Sequence, residues 1–116
     1  MNNKKKGRKL TASSSHNKLL MVNLVKSLIK SGKVDTTVAK AKESRRYADK
    51  MVSLAKKGND HARRQAYNFL QDKEAVTKLF EEMGEEYQDR QGGYTRLLRL
   101  PPRRGDGAEM ARLMFV

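Results

Sequence analysis

Nine lysines and arginines, Lys4, Lys5, Lys6, Arg8, Lys9, Lys18, Lys26, Lys30 and Lys33, precede Asp35, the first acidic residue of the chain. Uncompensated cations repel one another and resist burial, but laid along a phosphate backbone they release condensed counterions and gain affinity with each charge matched. The chemistry these residue types support is therefore neutralisation of a polyanion. Catalytic alternatives have less behind them. Ser15 and His16 are adjacent, which points their side chains apart on a helix, and no carboxylate is marked out to orient the ring, so they do not make a hydrolytic dyad. His16 is better suited to contacting phosphate or capping a helix start. Glu81, Glu82, Glu85 and Glu86 have the composition of a solvated helix face rather than an acid/base site. His16 and His61 lack zinc-ligand spacing, and with no Cys the chain has no thiolate site, disulfide or cysteine nucleophile. No metal, cofactor or small-molecule substrate is expected. Arg104, Gly105 and Asp106 spell an adhesion tripeptide, which here is a turn.

Further cations recur downstream. Lys42, Arg46 and Lys50 align at four-residue steps, while Asp49 follows Arg46 by three residues and Arg45 by four and is placed to neutralise one of them. A solvated helix face is the alternative account of this stripe. Arg63 and Arg64 fall at a helix start, where the dipole disfavours them, so another reason for their placement is expected. Tyr94 and Arg96 follow Gly92 and Gly93; a glycine at 93 lets the main chain approach a phosphate or base without a Cβ in the way, although Gly-Gly before a strand is also an ordinary turn. Arg103 and Arg104 belong to a hairpin tip that projects from its sheet, which suits groove or backbone contact.

These residues need a scaffold, and 116 residues of 13.2 kDa allow one domain with one modest core. Hydrophobic residues make up 37% and charged residues 34%, with no Trp, so a thin, mainly helical core of Leu, Val, Ala and Met is expected. The longest apolar stretch, residues 19–29, contains Asn23, Lys26 and Ser27 and is too short and polar to span a bilayer, so the protein is expected to be soluble with no membrane partner. No small-residue cleavage site follows it, as a secretory signal requires; a mitochondrial presequence is an alternative for the acid-free start, though presequences favour Arg and most cations here are Lys. Residues 59–89 reverse the sign of the chain, with four basic against eight acidic groups, which predicts one face toward phosphate and another toward solvent.

The polar, basic residues 1–12 are expected to form an extended arm, and residues 13–116 a single globular domain. Hydroxyls at 13–15 offer an N-cap, after which Leu20, Leu24 and Leu28 interleave with Met21, Val25 and Ile29 at helical spacing as far as Gly32. A short strand around Val34 and Thr36 follows, then a helix capped by Thr37 with a stripe of Val38, Ala41, Ala48, Met51, Val52 and Ala55, ending at Gly58. Asp60 is expected to cap a third helix, with Ala62, Ala66, Phe69 and Leu70 inward. Asp72 is expected to cap a fourth, with Val76, Leu79, Phe80 and Met83 inward, stopped by Gly84. Residues 94–100 and 108–116, joined by a Pro/Gly-rich loop, make a β-hairpin with Leu98, Leu100, Leu113 and Phe115 toward the core.

Several stretches carry a resemblance: Gly7-Arg8-Lys9-Leu10; Ser14-Ser15-His16 with Asn23 and Ser27-Leu28; Thr36-Thr37 followed by Ala39-Lys40-Ala41-Lys42-Glu43; Leu54-Ala55-Lys56; Lys78-Leu79-Phe80; Arg90 with Gly92-Gly93-Tyr94-Thr95-Arg96; and Arg104-Gly105-Asp106 with Met110-Ala111. In that order and spacing, over nearly the whole chain, they resemble the bacterial large-subunit ribosomal protein family numbered seventeen. The resemblance implies a non-enzymatic constituent of the large ribosomal subunit in the cytoplasm. It also implies binding to the large ribosomal RNA beside neighbouring large-subunit proteins, on the outer side near the peptide exit tunnel. The implied fold is α+β: a helix, a strand, three more helices and a terminal hairpin, with the strands in one small mixed three-stranded sheet. Arg8, Ser14, His16, Arg45, Arg46, Gly93, Tyr94, Arg96 and Arg104 occupy positions of the family's motifs. Departures are Asn2, Asn3 and Lys4 where the family start is richer in Arg and His, Asn17 in place of a basic residue, and Glu109 where proline is common.

Taken together, the expected RNA-contacting set is Lys4, Lys5, Lys6, Arg8, Lys9, Ser14, His16, Lys18, Lys42, Arg45, Arg46, Arg63, Arg64, Gly93, Tyr94, Arg96, Arg103 and Arg104. Two other functions compete with it. A helix-turn-helix DNA-binding or nucleoid protein would use the first two helices around Gly32, against which stand the length and the Ala stripe of the second. A cationic amphipathic membrane binder would use the first helix, which supplies the apolar face only in part.

Overall fold

The structure is a computed structural model that describes residues 14–116, with side chains from 16 onward. The arm expected at 1–12, with Lys4, Lys5, Lys6, Arg8 and Lys9, and the side chain of Ser14 lie outside the described residues. Helix α1 (Ser14–Ser31) buries Met21, Val22, Val25, Leu28 and Ile29, a stripe at three- and four-residue spacing. Leu20 and Leu24, expected in that stripe, stay half-buried at its margin. The helix stops where Gly32 takes φ 89° and donates its N–H to Leu28 O at 2.7 Å, a left-handed terminus that a side chain resists. Strand β1 (Lys33–Thr37) follows, and Thr37 caps α2 (Val38–Lys57) by accepting from Lys40 N.

Helix α2 is the hub of the fold, touching α1, α3, the following helical turns and all three strands. Its buried face is made of Val38, Ala41, Ser44, Ala48, Met51, Val52, Leu54 and Ala55, and the small residues among them let neighbours approach. This placement also removes the helix-turn-helix alternative: β1 separates α1 from α2, and much of the would-be recognition helix is core. Helix α3 (Asp60–Leu70) is capped by Asn59, whose Oδ1 accepts from Ala62 N at 2.8 Å; Asp60, the expected cap, lies one residue inside, where its charge still suits the dipole. Asp72 caps α4 (Lys73–Lys78) as expected, accepting from Ala75 N at 3.1 Å.

The chain beyond α4 departs from expectation at Gly84. A π-helical turn (Leu79–Met83) runs into a last turn, α5 (Gly84–Glu86), so Gly84 continues the helix with φ −59°. It is glycine for a packing reason: a Cβ there falls 2.6 Å from the Ala55 carbonyl oxygen of α2.

The hairpin strands are β2 (Thr95–Leu100) and β3 (Met110–Phe115), and the sheet order is β1-β3-β2. Both pairings are antiparallel, which corrects the expected mixed sheet: a parallel pair needs β1 beside β2, whereas β3 lies between them. The architecture is otherwise the expected α+β arrangement. Leu113 stands opposite both Val34 and Leu97, and these residues with Ala111 pack on Leu28, Val38, Ala41 and Ala48. Leu98, expected inward, is 43% exposed and Leu100 half-buried, because burial of Thr95 sets the two-residue alternation of β2 so that Leu97 points in. A second cluster gathers α1, α2, α3 and the later helical turns around Val25, Val52, Leu70 and Leu79, closed by Tyr87 and Tyr94.

Candidate nucleic-acid interface

Helix geometry sends Arg45 and Arg46, adjacent in sequence, to different tasks. Arg45 turns toward the sheet: its Nε donates to Thr95 Oγ1 at 3.1 Å and its Nη2 to Thr95 O at 3.0 Å, while Thr95 Oγ1 donates to Asp49 Oδ1 at 3.3 Å. Burial pushes the Asp49 carboxyl up, against the opposing pull of the Thr95 hydroxyl and the Arg45 charge. Arg46 stays exposed with Lys42 and Lys50, forming the outward stripe read from the sequence, and its Nη1 meets Glu43 Oε2 at 2.9 Å. Lys42 and Lys50 have no carboxylate within ion-pair distance among the described residues.

Tyr94 is not at the surface. Its ring is 3% exposed and packs edge-on to Tyr87 at 5.6 Å, and its hydroxyl accepts from Lys56 Nζ at 2.9 Å, which holds the phenol below its ordinary pKa. Lys56 Nζ also donates to the Arg90 carbonyl, and Tyr87 Oη donates to Val116 O at 2.5 Å, so this cluster locks the C-terminal strand to α2. Gly93, with φ 62°, follows Gly92 at 83°; a Cβ at either meets open space, so the glycines serve the turn's backbone conformation. Arg96 is exposed on the outer face of the sheet, opposite Met114.

The hairpin tip separates its two arginines in the same way. Arg103 grips Asp106 through Nε at 3.2 Å and Nη2 at 2.8 Å, and Asp106 also accepts from Ala108 N at 3.1 Å. That fork, with the backbone donor, pulls the Asp106 carboxyl down to about 2. Arg104 remains exposed without a carboxylate partner among the described residues. On α3, Arg63 lies over the Phe80 ring at 5.2 Å and 3.8 Å from Glu81, whereas Arg64 has no such partner and borders, with Tyr67 and Lys73, a cleft of about 430 Å³ beside Asp60. Lys30, one of the nine leading cations, pairs with Asp72 at 2.8 Å, which raises its pKa and lowers that of the aspartate.

His16 and Lys18 are both exposed on the first turns of α1. Lys18 borders a groove of about 320 Å³ that no sequence signal had marked as a site, lined from α2 by Tyr47 and Lys50 over Met51 and Leu54, and from α3 by Gln65, Asn68 and Phe69. Tyr47 and Phe69 stack at 5.3 Å and 10°, with the Arg46 guanidinium 6.0 Å from the Tyr47 ring. The available cue was Tyr47 itself, an aromatic set inside the Lys42, Arg46 and Lys50 stripe; its meeting with Phe69 depends on how α3 folds back. Of the expected contact residues that are described, Lys18, Lys42, Arg46, Arg64, Arg96, Arg103 and Arg104 are the exposed lysines and arginines. Arg45 and Tyr94 work inside the fold.

Comparison with known proteins gives a consistent result. The family model for Ribosomal protein L17 matches residues 20–116. A protein of Alkaliphilus metalliredigens, "Large ribosomal subunit protein bL17", is 54% identical over 109 residues, covering 94% of this chain and 96% of the relative. Proteins of the same name from Finegoldia magna and Clostridioides difficile are 52% and 47% identical, covering 94% and 96% of this chain and 83% and 98% of their own lengths.

Proposed function

The chain belongs to the ribosomal protein L17 family, and we propose that it binds the large ribosomal RNA as a structural protein of the large ribosomal subunit. It is no enzyme: the relatives are ribosomal structural proteins, and the chain's place of work is the cytoplasmic ribosome. The observation that carries RNA binding is the pairing pattern of the cations. Acidic groups are available, yet Lys18, Lys42, Lys50, Arg64, Arg96 and Arg104 are left exposed without ion pairs among the described residues. The five cations at positions 4–9 add to them. Phosphate contacts of this kind fix position and register on folded RNA, and the exposed carboxylates of Glu82, Glu85 and Glu86 are left for solvent or a basic neighbouring protein. A position near the peptide exit tunnel rests on the family resemblance alone.

Sedimentation of the tagged protein from lysate tests the reading. It should travel with particles of large-subunit size and be released by RNase. With roughly six to ten phosphate contacts, its affinity for the RNA should fall by about three to five powers of ten between 50 and 200 mM salt. Attachment that survives RNase, or a flat salt response, overturns it.

A further inference from the structure

We propose that the groove between α1, α2 and α3 seats a single unpaired nucleotide of the RNA, resting on the RNA-binding function proposed above and assigning it a site for one base. Three features converge there. Tyr47 and Phe69 present a stacked aromatic pair at the surface, both rings half-buried over the apolar floor of Met51 and Leu54. Lys18 and Lys50 stand at the rim, and the lining contains no carboxylate. Gln65 and Asn68 supply amides whose side chains make no hydrogen bond within the described residues.

Each feature matches one part of a nucleotide. A base gains from aromatic contact whatever its identity, phosphates on either side gain from the two lysines, and an amide offers both donor and acceptor to the hydrogen-bonding edge of a base. At about 320 Å³ the groove stands at the lower end of the small-ligand range, suited to one base rather than a run of them. A duplex cannot use it, because its bases are stacked inward and its backbone offers nothing to the aromatic pair. The absence of any carboxylate separates this groove from two other clefts: the one beside Tyr67 sets Asp60 among Arg63, Arg64 and Lys73, and a third along α4 mixes Glu74, Glu81 and Glu82 with Lys73 and Lys78. An acidic peptide would satisfy the lysines and leave the rings and amides unused.

The test uses the full-length protein with deproteinised large-subunit ribosomal RNA as probe. Ultraviolet cross-linking followed by peptide mapping should place a nucleotide adduct on Tyr47 or Phe69. Gln65→Ala with Asn68→Ala, both exposed and so expected to leave thermal unfolding unchanged, should lower that adduct's yield and weaken RNA binding by on the order of 10-fold with no change in salt slope. Phe69→Leu, which keeps apolar volume but removes the ring, should weaken binding on the same scale. If the wild type binds with a steep salt slope yet gives no adduct in the groove, and the amide variants bind as well as it does, the nucleotide site is wrong while RNA binding stands. If the wild type does not bind the RNA, both fall. If the groove stays open on naked RNA and closes only when other large-subunit proteins are added, its occupant is a protein and the inference is overturned.

Discussion

Gly84 has no room for even one methyl group. A Cβ at this position would lie 2.6 Å from the Ala55 carbonyl oxygen and 3.0 Å from its carbon, both backbone atoms of α2 that cannot swing aside. Gly84→Ala should therefore destabilise the protein by about 1–3 kcal/mol, the range for overpacking, measured as a lower urea midpoint with unchanged slope. Asp106 offers a second test at this scale. Its carboxyl is held down to about 2 from an ordinary 3.8 by the Arg103 fork and the Ala108 N–H. A depressed folded-state pKa means the pair stabilises the hairpin tip fully above the ordinary value and loses that contribution as pH falls through about 2. Carboxyl NMR titration should find that midpoint for Asp106, and Arg103→Ala should return it toward the usual carboxylate range. A normal midpoint in the wild type would show that the fork does not persist in solution.

At the scale of elements, neighbouring cations on α2 divide between holding the fold and facing outward. Arg45→Ala removes two hydrogen bonds to Thr95 and leaves Asp49 without its nearest cation, so thermal unfolding should register a loss of about 1.5–3 kcal/mol while the salt slope of RNA binding stays put. Lys42→Ala and Lys50→Ala should do the reverse, lowering the slope by about one each with no effect on unfolding. Composition could not separate these roles, because Arg45 differs from its neighbours only in the direction a helix gives it and in a strand fifty positions away. Local signals fared better. Thr37 and Asp72 cap their helices, Gly32 and Gly58 end theirs in the left-handed conformation, and the Val38 to Ala55 stripe lies inside, since each depends on residues a turn or so apart. What stayed illegible depended on tertiary partners: the inward turn of Leu97 instead of Leu98, the burial of Tyr94, and the meeting of Tyr47 with Phe69.

The whole molecule carries a formal net charge of +13, and the described body spends part of its cationic surface on its own carboxylates: Lys30 on Asp72, Arg46 on Glu43, Arg112 on Asp35 and Arg103 on Asp106. The Arg112 fork closes across β1 and β3 at 2.7 and 3.0 Å, and it holds Asp35, the first acidic residue, below its ordinary pKa. The earliest carboxylate in the chain is thus committed to the sheet, and Lys4, Lys5, Lys6, Arg8 and Lys9 all precede it in sequence. If those five sit on phosphates, changing all of them to Gln in the full-length chain should lower the salt slope of RNA binding by about four, at roughly 0.7 to 0.9 per contact. If the five act through phosphate charge alone, thermal unfolding should not move. Measuring slope and unfolding on the same variant separates charge from stability. A slope change below about one would transfer the electrostatic role to the α2 stripe and Lys18, and the leading cations would then have no part in attachment.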